Sequence, residues 1–137
     1  MLSMLRAVRN RRIILGLLLP ALTALWAPGE ASAAGCRPNG TALSVTAFDT
    51  KFDKDCLAAP ANEAFTIDFT NLDRAIPHNV AIYEDKSAAK LFFKGEFLGG
   101  PGRITYSVEA LPQGTFFFRC DPHPEMNGTF ISGASSL

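Results

Sequence analysis

The chain has 137 residues, thirteen basic and thirteen acidic side chains, a formal net charge of zero and 47% hydrophobic residues. That length leaves room for one sizeable domain, and a chain with no net positive charge argues against nucleic acid as a partner, which needs clustered Lys and Arg. Arg6, Arg9, Arg11 and Arg12, the apolar run Ile13 to Trp26 and the small residues Ala31-Ser32-Ala33 read as an export signal covering residues 1–33. The run is short of the ~20 residues of a membrane span. Arg11-Arg12 before Ile13-Ile14-Leu15 leaves open whether export is general or twin-arginine.

Removing the signal takes away four arginines and Glu30, leaving nine basic against twelve acidic residues, a net charge of −3. Residues 34–137 are then expected to form a single domain. Within it, short apolar stretches alternate with turn residues, and no segment keeps a helical period over three turns. Strands are predicted over Thr41 to Phe48, Ala64 to Thr70, His78 to Tyr83, Arg103 to Glu109, Thr115 to Arg119 and Gly128 to Ser132. Weaker ones fall near Phe52 to Leu57 and Leu91 to Lys94, and Ser87-Ala88-Ala89-Lys90 reads as one helical turn. Phe65, Ile67 and Phe69 share one face while Thr66, Asp68 and Thr70 share the other, the period of a half-buried strand. Turn signals such as Asn39-Gly40, Gly99-Gly100-Pro101-Gly102 and Pro112-Gln113-Gly114 separate these segments. The expected fold is an all-β sandwich or barrel of about seven to eight strands. Asp68, Glu109 and the other acidic residues are assigned to solvent faces.

Three cysteines in an exported chain require a pairing argument. With Cys120 committed elsewhere, Cys36 and Cys56 form an even pair suited to an oxidising compartment. The competing reading takes Ala33-Ala34-Gly35-Cys36 as a lipoprotein cleavage box. Such boxes carry a large aliphatic residue three before the cysteine, where this chain has Ala33, so the disulfide is favoured. A membrane enters only if Cys36 is lipidated.

The chemistry is concentrated in Cys120-Asp121-Pro122-His123-Pro124-Glu125-Met126, which places a thiolate, an imidazole and a thioether at three-residue intervals. The only other histidine, His78, lies in Ile76-Pro77-His78-Asn79-Val80. Two imidazoles, one thiolate and a weakly held thioether suit copper, because soft sulfur favours Cu(I) while imidazole serves both oxidation states. Structural zinc sites instead take four strong ligands. A dinuclear copper centre would need a second cysteine in the loop, so one ion is expected. Strand alternation puts His78 on the face of Val80 and Ile82, and Cys120 on that of Phe116 and Phe118, so both point inward. Pro122 and Pro124 fix φ on either side of His123, and Pro122 also removes a backbone N–H that could otherwise reach the thiolate.

From about Leu43 to Ile131 the chain resembles the cupredoxins. The resemblance rests on Pro77-His78-Asn79, on Gly114-Thr115-Phe116-Phe117-Phe118-Arg119-Cys120 and on the Cys-Asp-Pro-His-Pro-Glu-Met loop. The short ligand spacing is most similar to the amicyanin and pseudoazurin branch. The resemblance implies a Greek-key sandwich and one type 1 copper ion cycling between Cu(II) and Cu(I). It also implies that His78 and His123 bind through Nδ1, that Cys120 supplies a short thiolate bond and that Met126 is the weak axial ligand. Asn79 matches a family asparagine that ties the two ligand loops together.

The function expected is that of a periplasmic or extracellular one-electron carrier, monomeric and without a substrate of its own, that serves protein redox partners. Copper delivery or resistance is the alternative, although such proteins offer several methionines and exposed histidines. A Cys–His hydrolase-type enzyme would leave Met126 unused and would hold its nucleophile in an inward-facing position.

Overall fold

The computed structural model describes residues 36–135. Eleven short strands run in the order β1 (Ala42–Phe48), β2 (Lys51–Phe52), β3 (Cys56–Pro60), β4 (Phe65–Asn71), β5 (Pro77–His78), β6 (Ala81–Tyr83), β7 (Leu91–Lys94), β8 (Leu98–Gly99), β9 (Gly102–Val108), β10 (Gly114–Arg119) and β11 (Asn127–Gly133). One sheet has the order β2-β1-β4-β9, a second β3-β11-β10-β6-β7, and β5 pairs with β8 alone. β1 runs parallel to β4, and β3 runs parallel to β11. The chain therefore crosses between sheets instead of folding as consecutive hairpins, and all-β architecture is as expected.

Alternation fills the space between the sheets. Phe65, Ile67 and Phe69 of β4 are buried while Thr66, Asp68 and Thr70 are half-exposed. Phe65 stacks on Phe130 at 5.2 Å between ring centroids, Phe69 on Tyr106 at 5.9 Å, and Phe52 meets Phe118 at 5.5 Å. Each fully buried ring contributes roughly 1.5–3 kcal/mol through its removal from water. Phe117, of opposite parity, is also buried and lies in register with Tyr83 of β6.

The Cys36–Cys56 disulfide is present, with 6.0 Å between Cα atoms, and fastens the segment before β1 to the start of β3. Gly128 of β11 lies where a side chain would run into the Asp55 carbonyl and the Phe118 ring, so only glycine lets these strands approach.

Three details differ from expectation. The region predicted as one strand from His78 to Tyr83 is broken at Asn79-Val80, because His78 pairs with Leu98 while Ala81 to Tyr83 pair with β10. The weak strand near Phe52 to Leu57 divides into β2 and β3, with the Asp53-Lys54-Asp55 turn region between them. The predicted helical turn at Ser87–Lys90 is absent. Asp85 instead closes a β-turn, accepting the Ala88 N–H at its carbonyl at 3.1 Å and the Ser87 N–H at its carboxylate at 2.8 Å. An aspartate that captures N–H groups locally favours such a turn over helix. The export signal expected over residues 1–33 lies outside the described residues.

Candidate metal centre

His78 is placed by the two-residue pairing of β5 with β8, and Cys120 follows directly on β10. β10 and β6 are antiparallel neighbours, with Arg119 opposite Ala81, which brings the end of one ligand segment beside the start of the other. The chain then turns from Cys120 back into β11. The turn is closed by the Cys120 N–H donating to the Met126 carbonyl and the Met126 N–H donating to the His123 carbonyl, each at 2.9 Å. Asn127 supports it from below, its amide donating to the carbonyls of Pro124 at 2.9 Å and Glu125 at 3.2 Å.

The donor atoms converge. Cys120 Sγ lies 3.5 Å from His78 Nδ1 and 3.7 Å from His123 Nδ1, and the two Nδ1 atoms are 3.0 Å apart. A first-row ion bonds nitrogen at about 2.0–2.1 Å and thiolate sulfur at about 2.3 Å. One ion can therefore reach all three donors without any of them moving. His78 and Cys120 are 0% exposed, Met126 is 2% exposed, and His123 is half-buried between the exposed Pro122 and Pro124. The donor set, two imidazoles and a thiolate beside a buried thioether residue, fits one type 1 copper ion.

Cys120 is the free cysteine. Burial raises its thiol pKa, and the backbone N–H groups of Asn79 and His123, both directed at the sulfur, partly oppose that rise.

Asn79 joins the two ligand segments. Its Oδ1 accepts the Asp121 backbone N–H at 2.8 Å, and its Nδ2 donates to the Gly95 carbonyl at 3.0 Å and to Asp121 Oδ2 at 3.3 Å. Asp121 also accepts from the Tyr83 hydroxyl at 2.7 Å and from Arg119 Nε at 3.3 Å, with Lys94 Nζ at 3.4 Å. Burial works to raise the Asp121 pKa, but these donors outweigh it and hold the carboxyl below its ordinary value.

The assignment of the acidic residues to solvent faces is corrected by Asp73, which is 8% exposed and touches His78. Asp121 likewise is half-buried and fully engaged. Charge alone suggested solvent, but both carboxylates find enough donors to offset desolvation. Burial works to raise the Asp73 pKa, but the Thr50 N–H, the His78 ring and the Asp49 N–H outweigh it, for a net decrease.

Fold and donor set together define a β-sandwich protein with one candidate mononuclear metal centre among the described residues. The sequence profile of the cupredoxin-like domain matches residues 17–132, and the chain belongs to that family. Solved structures agree on the fold. Auracyanin from Roseiflexus castenholzii superposes with a TM-score of 0.62 at 20% identity, over 69% of this chain and 98% of that one. Auracyanin A, a blue copper protein from Chloroflexus aurantiacus, gives 0.59 at 16% identity over 69% and 99%. Amicyanin from Paracoccus versutus gives 0.50 at 25% identity over 66% and 80%. No curated protein matches the chain in sequence.

Proposed function

We propose that this protein is an exported blue-copper carrier of single electrons, with His78, Cys120, His123 and Met126 as ligands of one copper ion. The observation that carries this reading is the convergence of two Nδ1 atoms and one thiol sulfur, from segments 42 and 45 residues apart, at mutual distances of 3.0–3.7 Å. Copper supplies a one-electron couple, Cu(II) to Cu(I), that needs no proton and no substrate. The protein's part is to keep the donors in one arrangement across both states, since any rearrangement adds to the barrier for electron transfer. His78 and Cys120 are held from opposite sides by strand pairing, and Asn79 ties their segments together. His123 is the ligand nearest solvent, and its proline-flanked edge suits brief contact with a protein redox partner.

Full burial of His78 and Cys120 supports a carrier over a delivery protein, which must surrender its ion quickly. It also supports the absence of a cysteine-based enzymatic activity, because a nucleophile needs access to its substrate. Residues 1–33 act as the export signal and 34–137 as a single monomeric domain. The Cys36–Cys56 disulfide supports an oxidising destination, periplasmic or extracellular. Repeated voltammetric cycling with copper retained supports the carrier reading. Rapid loss of copper to a mild chelator supports delivery.

A further inference from the structure

The ligand set does not account for Asp73. This residue lies in the connection between β4 and β5, and its buried carboxylate faces His78 from the side away from Cys120. Oδ2 is 2.8 Å from His78 Nε2 and accepts the Thr50 N–H at 2.9 Å, while Oδ1 accepts the Asp49 N–H at 2.7 Å. Asp73 is itself fixed by the fully buried Asn71. The Asp73 N–H donates to Asn71 Oδ1 at 2.9 Å, and Asn71 Nδ2 donates to the carbonyls of Ile76 and Leu98, both at 2.8 Å. Asp49 and Thr50 turn β1 into β2 with φ of +52° and +53°, a conformation that costs energy, most of all for a β-branched residue. Capture of both N–H groups by one carboxylate offsets that cost.

His78 Nδ1 is the nitrogen turned toward Cys120 and His123, so the ring proton belongs on Nε2, where Asp73 receives it. We propose that Asp73 is a positioning residue of the centre: its carboxylate selects the form of His78 whose Nδ1 is free, strengthens that nitrogen as a donor and anchors the ring to the Asp49–Thr50 turn. This rests on His78 being a copper ligand. A hydrogen-bonded carboxylate raises the basicity of a ligating imidazole and places negative charge beyond the ring, which favours Cu(II). Reduction adds one electron to Cu(II) to give Cu(I), and no bond or proton at Asp73 changes.

The test compares Asp73→Asn, Thr50→Gly and the double variant by midpoint potential of the copper-loaded protein and by ring-nitrogen NMR of His78 in the copper-free protein. Asp73→Asn is expected to shift the couple toward Cu(I) about tenfold, about 59 mV for one electron, and to speed Nε2–H exchange at least tenfold. Thr50→Gly, which relaxes the turn and leaves the carboxylate in place, is expected to match wild type in both, and the double variant to keep the raised potential. An unchanged potential and exchange rate in Asp73→Asn, an equal shift in Thr50→Gly, or a wild-type His78 protonated on Nδ1 would each overturn the proposal. If the wild-type protein forms no copper centre, the ligand reading fails by itself, and the ring-proton measurement still decides what Asp73 does.

Discussion

The Asp121 backbone N–H donates to Asn79 Oδ1 over 2.8 Å, so the residue after Cys120 is bound to the residue after His78 across a separation of 42 positions. The same side chain reaches the Gly95 carbonyl at 3.0 Å, which joins a third segment to the first two. Asn79 thereby holds the spacing of the two inward-facing donors, His78 and Cys120.

Asn79→Ala removes these contacts and leaves the Asp121 N–H and the Gly95 carbonyl in need of partners. An unpaired buried polar group costs about 1–3 kcal/mol. The expected outcome is a loss of that order in chemical denaturation with copper binding retained. Complete loss of copper would show that Asn79 does more than hold the loops together.

Met126→Leu keeps the buried volume nearly constant, because Leu and Met are close in size, and removes only the thioether. Copper is expected to remain bound by His78, Cys120 and His123, and the reduction potential is expected to rise. Voltammetry of the variant checks both. An apoprotein would contradict the assignment of Met126 as a weak axial ligand.

Cys36→Ser with Cys56→Ser opens a loop whose ends are 20 residues apart. Chain-entropy reasoning for a loop of that length gives a destabilisation of about 3 kcal/mol. The copper spectrum is expected to be unaffected, because neither cysteine is among the converging donors. Parallel denaturation curves and spectra test the two halves of this prediction separately.

Gly128→Ala places a methyl group against the Asp55 carbonyl and the Phe118 ring. Overpacking of this kind costs roughly 1–3 kcal/mol. The effect is expected in the thermal midpoint, with wild-type behaviour regained in no conservative variant larger than glycine.

The ligand loop was legible because its chemistry is local: Cys120, His123 and Met126 lie within seven residues, and with His78 as the other histidine few combinations remain. Alternation identified β4 and β9 because each has one face against the core, while in β10 Phe116, Phe117 and Phe118 are all buried. It also gave an inward-facing His78, although the strand is broken at Asn79-Val80 and Tyr83 is buried along with Ala81 and Ile82. What alternation could not supply was the path from Asn71 to His78. That path is set by contacts to Leu98, Gly100 and the Asp49–Thr50 turn, all more than 20 residues away in sequence. Asp73 looks like a solvated turn residue in Leu72-Asp73-Arg74, and no spacing in the sequence marks it as the partner of His78. Its contacts with Asn71 and His78 are local, two and five residues away, whereas Asp49 and Thr50 are distant in sequence. Ser87–Lys90 was misread for a related reason: its composition permits a helical turn, but Asp85 captures the backbone first.

The central claim is that His78, Cys120 and His123 bind one copper ion with Cys120 as thiolate. Visible absorption and electron paramagnetic resonance of the protein loaded with one equivalent of Cu(II) test it directly. The account predicts an intense blue thiolate-to-copper band and a single mononuclear Cu(II) signal, both abolished in Cys120→Ala. A colourless protein in which Cys120 remains open to alkylation in the presence of Cu(II) would contradict it.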